Sequence, residues 1–127
     1  RRAMTVRILV VEDDPDDEAV LRSLLEQSER PISVACERLL TPALQRLARE
    51  PFSLVFLDLS LPDSWGLETL RRLRKGSPAV PVVLMTGAVL PGLAAEAGAE
   101  GALACIFKHQ LDGQRVQDIL DRICGDV

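Results

Sequence analysis

Apolar residues along the chain occur in five short runs, and between the runs they recur at the three- and four-residue spacing of a helix. Short runs that are apolar throughout are typical of strands buried on both faces of a sheet. In the second run, Ile32, Val34 and Cys36 alternate along one side, which is typical of a strand with one buried face. The predicted strands are residues 6–11, 32–36, 53–57, 80–85 and 104–107.

Residues that favour helix N-termini precede the helical segments. Asp14 and Thr41 are each followed by proline, and an N-cap followed by proline is a common helix start. Ser64 and Asp112 are the predicted N-caps of the third and fifth helices. The predicted core-facing residues are Val20, Leu21, Leu24 and Leu25 in the first helix, Leu44, Leu47 and Ala48 in the second, Leu67, Leu70 and Leu73 in the third, and Val116, Ile119, Leu120 and Ile123 in the fifth.

The fourth helical segment, residues 88–102, contains one proline and three glycines. Each glycine costs about 1 kcal/mol relative to alanine inside a helix, and a proline costs more. We therefore expect the fourth helix to be short and mobile.

Strict alternation of strands and helices, five times over, predicts an α/β domain with helices on both faces of a parallel sheet. With right-handed crossovers, the expected architecture is a flavodoxin-like (βα)5 doubly wound sheet with strand order 2-1-3-4-5. A chain of 127 residues is large enough for one such core. We expect the domain to occupy residues 5–124, and residues 1–4 to be an N-terminal extension or a cloning remnant.

The charge balance excludes some classes of function. Fifteen Lys and Arg residues against nineteen Asp and Glu residues give a net charge of −4, which argues against a nucleic-acid surface. No apolar run approaches the ~18 residues of a membrane span, and no secretory signal follows the N-terminus. The three cysteines, Cys36, Cys105 and Cys124, lack a paired spacing, so we expect free thiols in the cytoplasm.

Polar side chains end four of the predicted strands. Glu12 and Asp13 follow the first, Asp58 follows the third, Thr86 follows the fourth and Lys108 follows the fifth. In the predicted order these ends lie together at the edge of the sheet where such folds bind ligands. Three carboxylates and one lysine give −3 + 1 = −2, which one divalent cation would neutralise. Oxygen ligands of this kind suit Mg²⁺.

Asp58 is the candidate reactive group of this cleft. Carboxylates at close range push protons onto one another, and a metal ion beside Asp58 would keep it ionised. An ionised carboxylate can accept a phosphoryl group. The metal and Lys108 would then neutralise the phosphoryl oxygens, and the Thr86 hydroxyl could donate a hydrogen bond to one of them.

Four stretches together suggest a family. They are Ile-Leu-Val-Val-Glu-Asp at 8–13, Asp-Leu-Ser-Leu-Pro at 58–62 with Gly66, Val-Leu-Met-Thr-Gly at 83–87, and Lys108. With these stretches in this order, the chain from residue 6 to 123 resembles the receiver domain of bacterial two-component response regulators. The resemblance implies direct Mg²⁺ binding by Asp13 and Asp58 and by the backbone carbonyl of Ser60. It also implies that Glu12 acts through a bound water.

The resemblance implies that Asp58 receives a phosphoryl group from the phosphohistidine of a sensor histidine kinase or phosphotransfer protein. Thr86 and Lys108 would contact that group. We expect the domain to act as a signalling switch rather than as a turnover enzyme. We expect it to bind neither nucleic acid nor membranes directly. If it forms a homodimer, the expected surface is the face of the fourth helix, fifth strand and fifth helix.

Two alternatives stand beside this interpretation. A degenerate receiver would act as a protein-interaction module without phosphorylation, but Asp13, Asp58, Thr86 and Lys108 are intact. A phosphatase with Asp58 as nucleophile often carries a second acid two residues later, where this chain has Ser60.

Some residues have simpler interpretations. Asp14, Asp16, Asp17 and Glu18 are expected to stabilise a helix N-terminus, His109 to be a loop residue, and Trp65 to be a partly exposed residue at the start of the third helix.

The chain departs from the family pattern at two positions. Cys105 stands where the family usually has an aromatic residue that reports phosphorylation by rotating. We therefore expect output through residues 88–102. His109 stands where a proline usually follows the lysine, often across a cis bond. A cis bond before a residue other than proline costs ~3–4 kcal/mol, so we expect a trans bond between Lys108 and His109.

Overall fold

The computed structural model describes residues 5–88 and 90–125. The extension expected at residues 1–4 lies outside this part of the chain. The strands are β1 Val6–Val11, β2 Ile32–Glu37, β3 Leu54–Asp58, β4 Ser60–Leu61, β5 Ser64–Trp65, β6 Val82–Thr86 and β7 Ala104–Phe107. The helices are α1 Pro15–Glu26, α2 Leu40–Arg49, α3 Leu67–Gly76, α4 Leu93–Ala99 and α5 Gly113–Cys124, with a 3-10 turn at Lys108–Gln110.

Five parallel strands form the main sheet in the order β2-β1-β3-β6-β7. Since β6 and β7 are the fourth and fifth strands of the alternating units, the predicted order 2-1-3-4-5 is confirmed. The two short strands β4 and β5 pair with each other as an antiparallel hairpin outside this sheet. The sequence did not predict this hairpin, because two-residue strands leave no periodic pattern.

The sheet separates two hydrophobic cores. Leu54 and Phe56 of β3 face one side, where they pack with α1 and α5. Val55 and Leu57 face the other side, where they pack with α2, α3 and α4. Because successive strand residues point to opposite faces, a strand buried on both sides must be apolar throughout, as β3 is until Asp58. Helices on both faces confirm the doubly wound architecture.

Three strands, β2, β3 and β6, end one residue later than the sequence predicted, and two of the added residues belong to the predicted site. β3 includes Asp58, which is in register with Met85, and β6 includes Thr86, which is in register with Phe107. Both polar residues therefore stand on the last position of a paired strand rather than in the loop after it. This placement fixes their backbones and leaves their side chains at the carboxyl edge of the sheet.

Two of the four predicted N-caps are confirmed. The Asp14 carboxylate accepts hydrogen bonds from the amides of Asp16 and Asp17, and the Asp112 carboxylate accepts one from the amide of Arg115. Each satisfies amides that have no partner inside the helix.

The caps predicted at Thr41 and Ser64 are wrong. Helix α2 begins at Leu40, and its first two amides donate to the carboxylate of Asp63, in the β4–β5 turn, at 2.8 and 2.9 Å. The N-cap of helix α3 is Gly66, which has φ 71° and no side chain to accept a hydrogen bond. The hydroxyl of Ser64 instead hydrogen-bonds that of Thr69 at 2.8 Å.

The predicted helix faces are largely confirmed, with two corrections. Val20 is 53% exposed, since Leu21 and Leu25 already fill the space under α1. Ala48 is exposed, and α2 instead buries Leu40 and Ala43 near its start. The predicted residues that do pack against the cores are Leu21, Leu24, Leu25, Leu44, Leu47, Leu67, Leu70, Leu73, Val116, Ile119, Leu120 and Ile123.

Further expectations concern short segments. Helix α4 has seven residues, so its predicted shortness is confirmed, while its mobility stays a prediction. No cis peptide bond occurs within residues 5–88 and 90–125, which confirms a trans bond before His109. The three cysteines are free thiols. None of the helices described here combines the length and apolar character needed to cross a membrane.

Candidate functional site

A cleft of about 660 Å³ opens at the carboxyl edge of the sheet. The ends of β1, β3 and β6 and the start of the 3-10 turn line it, and they bring together the residues that the sequence predicted. These lining residues include Glu12, Asp13, Asp58, Ser60, Thr86 and Lys108. The strand order places β3 between β1 and β6, so Asp58 lies at the centre of the group.

Asp58 is a buried carboxylate with partners on both oxygens. Its side chain is 3% exposed. Oδ1 accepts a hydrogen bond from the amide of Ser60 at 2.9 Å, and Oδ2 accepts one from Nζ of Lys108 at 2.9 Å. The Ser60 amide fixes the orientation of the carboxylate, and Lys108 supplies the positive charge that a buried anion needs.

Lys108 contacts three carboxylates at once. Its Nζ lies 2.9 Å from Asp58 Oδ2, 2.8 Å from Glu12 Oε1 and 2.7 Å from Asp17 Oδ2. Burial alone would lower the pKa of Lys108, but Asp17, Glu12 and Asp58 together raise it above its ordinary value. Lys108 therefore carries its charge throughout the physiological range.

Glu12 is the most buried acid of the cleft, with 1% of its side chain exposed. Burial and the neighbouring Asp58 raise its pKa to about 8, although Lys108 and the amide of Asp14 act in the opposite direction. Oε2 accepts from that amide at 3.1 Å. Oε1 accepts no aligned hydrogen bond from the described residues, and its contact with Lys108 is an ion pair alone. Oε1 therefore faces the Lys108 ammonium without an aligned hydrogen bond, and the amide of Asp14 holds the other oxygen.

The carboxylates of Glu12, Asp13 and Asp58 offer one oxygen each within 4.8 Å of one another. Asp13 is the more exposed member and Glu12 and Asp58 are buried. Oxygen donors at this spacing, with open solvent on one side, fit Mg²⁺, which keeps several waters and binds few protein carboxylates. Oε1 of Glu12, which has no aligned hydrogen bond from the described residues, would suit a water bound to such an ion.

Thr86 lies 7% exposed at the end of β6. Its Oγ1 accepts a hydrogen bond from the amide of Ala88 at 3.1 Å and lies 3.3 Å from the carbonyl oxygen of Ala88. The hydroxyl therefore has local partners and would have to exchange one of them to bind a group in the cleft.

Three further residues drew attention in the sequence. His109 is exposed in the 3-10 turn and its ring stacks near Phe107, with ring centroids 6.1 Å apart. Trp65 lines the cleft but is 74% exposed, and it belongs to the hairpin strand β5 rather than to a helix start. Cys105 is half-buried against the core beneath α2, α3 and α4.

Sequence reasoning missed Asp17. An acidic residue in the first turn of a helix is common, because the helix dipole favours it, so its presence carried no specific signal. A geometric signal did exist. The first turn of a helix that follows β1 must lie at the carboxyl edge of the sheet, next to the cleft. The contact with Lys108 joins residues 91 positions apart.

Comparisons with known proteins agree with this geometry. The model of the response regulator receiver domain family matches residues 8–121. The transcriptional regulatory protein ZraR of Klebsiella oxytoca is 33% identical over 112 residues, which are 88% of this chain and 25% of ZraR. The chain thus spans about a quarter of the length of such curated relatives.

Solved structures share the fold. A two-component response regulator of the LuxR family from Aurantimonas sp. SI85-9A1 is 26% identical with a TM-score of 0.81, covering 94% of this chain and 86% of that one. The signal receiver domain of a Luxo repressor protein from Vibrio parahaemolyticus has a TM-score of 0.83 at 21% identity, covering 95% and 91%. With a family model that matches most of its length and the cleft described above, the chain belongs to the response regulator receiver domain family of two-component signalling.

Proposed function

We propose that Asp58 is the phosphoacceptor of this receiver domain. The observation that supports this most is its position: a carboxylate 3% exposed, 2.9 Å from a lysine ammonium, with two further acids within 4.8 Å. A buried, oriented carboxylate beside a cation is suited to attack phosphorus, because the cation neutralises charge that the incoming group brings.

The transfer needs no cofactor-derived atom. A carboxylate oxygen of Asp58 forms a bond to phosphorus while the bond between phosphorus and the donor's imidazole nitrogen breaks. The imidazole leaves with that electron pair, and the product is an aspartyl phosphate. Lys108, already at Asp58 Oδ2, is placed to bind a phosphoryl oxygen. Thr86 would donate its hydroxyl hydrogen to another after releasing the carbonyl of Ala88.

Receiver domains bind Mg²⁺ at an acidic pocket, and the acid group of this cleft fits that ion. We propose Asp13 and Asp58 as direct ligands, with the backbone carbonyl of Ser60, and Glu12 as a partner of a bound water. When bound, the ion supplies positive charge to the phosphoryl oxygens. The pKa of Glu12 is raised because several acids are buried close together. The same crowding of acids explains why a bound cation would stabilise the site.

We propose that the domain acts as a switch rather than as a turnover enzyme, because it transfers the phosphoryl group to its own Asp58 and later loses it by autodephosphorylation. Its donor is a sensor histidine kinase or a phosphotransfer protein. The intact set of Asp13, Asp58, Thr86 and Lys108 favours this over a receiver that signals without phosphorylation. A homodimer, if formed, would use the face of α4, β7 and α5.

The test is chemical. The protein is incubated with acetyl phosphate and Mg²⁺, and its intact mass and acid-stable, base-labile phosphate are measured. Wild type should gain one phosphoryl group and Asp58→Ala none. Asp16→Asn, which removes an exposed acid of α1, should behave as wild type. A wild-type protein that gains no phosphate, or an Asp58→Ala variant that still gains it, would contradict the proposal.

A further inference from the structure

Asp17 makes the shortest of the three contacts to Lys108, with Oδ2 2.7 Å from Nζ. Its side chain is 41% exposed, whereas those of Glu12 and Asp58 are 1% and 3% exposed. The two buried acids therefore hold the ammonium from inside the cleft, and Asp17 holds it from the solvent side.

The carboxylate of Asp17 has no role in capping its own helix. Asp14 is the N-cap, and its Oδ1 accepts from the amides of Asp16 and Asp17. Asp17 contributes only its amide to that cap, so its carboxylate is free to reach across to Lys108. Asp16, the neighbouring acid in the same turn, is exposed and has the same relation to the helix dipole. Comparing Asp16 with Asp17 therefore separates the effect of an acidic charge in this turn from the effect of the contact with Lys108.

The contact with Asp17 helps to determine the position of the Lys108 ammonium group. An ammonium group has three N–H donors and a flexible four-carbon stem. In this cleft Nζ donates to Asp17 and Asp58 and forms an ion pair with Glu12. Without Asp17, the remaining attraction comes entirely from the two buried acids, and it draws Nζ inward among the carboxylates. There the lysine competes for the oxygens that the proposed metal site needs.

We propose that Asp17 is a positioning residue that holds Lys108 at the mouth of the cleft, beside Asp58 Oδ2, before a phosphoryl donor arrives. This inference rests on the proposed function of Asp58. It gives the acidic first turn of α1 a part in phosphoryl transfer through Lys108, and Asp17 itself need not touch the phosphoryl group.

The first test is a double-mutant cycle on the rate of phosphorylation by acetyl phosphate at saturating Mg²⁺. Asp17→Asn should slow the reaction about tenfold, the equivalent of 1.4 kcal/mol in the barrier, while Asp16→Asn should leave it unchanged. In a Lys108→Met background, Asp17→Asn should have no further effect, because its action passes through Lys108. Equal slowing by Asp17→Asn with and without Lys108 would overturn the proposal, as would equal slowing by Asp16→Asn.

The second test needs neither metal nor donor. The ε-CH₂ resonances of Lys108 in the metal-free protein should shift in Asp17→Asn and not in Asp16→Asn, and Asp17→Glu should restore part of both the shift and the rate. Unchanged resonances in Asp17→Asn would overturn the proposal. The two proposals fail differently: a wild type that takes no phosphate contradicts the role of Asp58, whereas a phosphorylated wild type matched in rate by Asp17→Asn contradicts the role of Asp17 alone.

Discussion

Lys108 balances the buried charge of the cleft. Among the described residues, it is the cation that forms ion pairs with Glu12 and Asp58. Its own side chain is 22% exposed, so water screens these pairs only in part. Removing one partner of such a group leaves the other charges uncompensated, which costs more than the pair itself is worth.

We therefore expect Lys108→Met to lower the free energy of unfolding of the metal-free protein by about 2 kcal/mol. Saturating MgCl₂ should recover most of that loss, because a bound cation replaces the missing charge and binds only the folded state. Urea unfolding with and without MgCl₂ measures both quantities. Lys75→Met, at an exposed lysine near the end of α3, is the matched control and should change stability by less than about 0.5 kcal/mol. An identical loss in both buffers would count against this account.

At the residue scale, the sequence was informative where a polar side chain ended an apolar run. Glu12, Asp58 and Thr86 end such runs, and a parallel sheet brings the ends of its strands to one edge. Asp17 does not end an apolar run, because it lies in the polar first turn of α1, where acidic residues are common. Its role depends on a contact with a residue 91 positions away, which no local pattern encodes.

At the element scale, the start of α2 depends on a different loop. The carboxylate of Asp63 accepts from the amides of Leu40 and Thr41, and the hairpin of β4 and β5 holds Asp63 in place. Sequence rules look for the cap next to the helix, so they selected Thr41. The apolar runs predicted the strands well because burial on two faces is a strong constraint. Helix starts were less predictable, because here the cap came from another segment.

We expect Asp63→Ala to destabilise the protein by about 1 kcal/mol at pH 7, the usual cost of losing an N-cap. Partial burial tends to raise the pKa of Asp63, but the amides of Thr41 and Leu40 outweigh it and leave the pKa below its ordinary value of 3.8. Because the folded-state pKa is the lower one, the stabilisation is present above pH 3.8 and is lost as the pH falls through the folded-state value.

Chemical denaturation of wild type and Asp63→Ala from pH 7 down to pH 3 measures this difference. The difference between the two stabilities should narrow as the pH falls below 3.8. Glu26→Ala, an exposed acid at the end of α1, should show neither the loss nor the narrowing. A difference that stayed constant down to pH 3 would mean that packing, and not the charged cap, stabilises the start of α2.

A second link joins α3 to the end of α4. The guanidinium of Arg71 donates to both oxygens of Glu100, at 2.6 and 2.9 Å, in the two-pronged geometry that makes such pairs specific. The Arg71 side chain is 54% exposed and that of Glu100 is 28% exposed, so water screens the pair and the pair adds little to global stability. Its effect should instead be local, because α4 is short and has few other contacts of this kind.

We expect Glu100→Gln to speed amide hydrogen exchange in α4 while leaving α3 and the global unfolding midpoint nearly unchanged. Local opening of a short helix needs less free energy than global unfolding, so a weak contact can dominate it. Glu96→Gln, which removes an exposed acid of the same helix, is the matched control and should have no such effect. If exchange rises equally in both variants, helix charge rather than the contact with Arg71 is responsible.

At the scale of the whole molecule, helix α4 forms part of the wall of the cleft. Arg71, Leu93 and Glu96 line the same cleft as Asp58 and Thr86, so a group added at Asp58 lies close to the helix. Cys105 stands on β7 where the family usually has an aromatic residue, and it packs, half-buried, against the core beneath α4. A small thiol displaces little volume when it rotates, so we expect any change in shape on phosphorylation to come from the backbone next to the cleft.

We therefore expect phosphorylation to be communicated through residues 88–102. Binding of a phosphoryl mimic such as beryllofluoride, with Mg²⁺, should change amide exchange across this segment, because Thr86 must exchange its contact with Ala88 to reach the new group. Strand β7 should change little. Wild type with Mg²⁺ alone should show no such change, which separates the mimic's effect from that of Mg²⁺, and Asp58→Ala treated with the mimic should also show none. Unchanged protection across residues 88–102 in a wild type that binds the mimic would exclude this segment as the output, and it would direct attention to α1, where Asp17 meets Lys108.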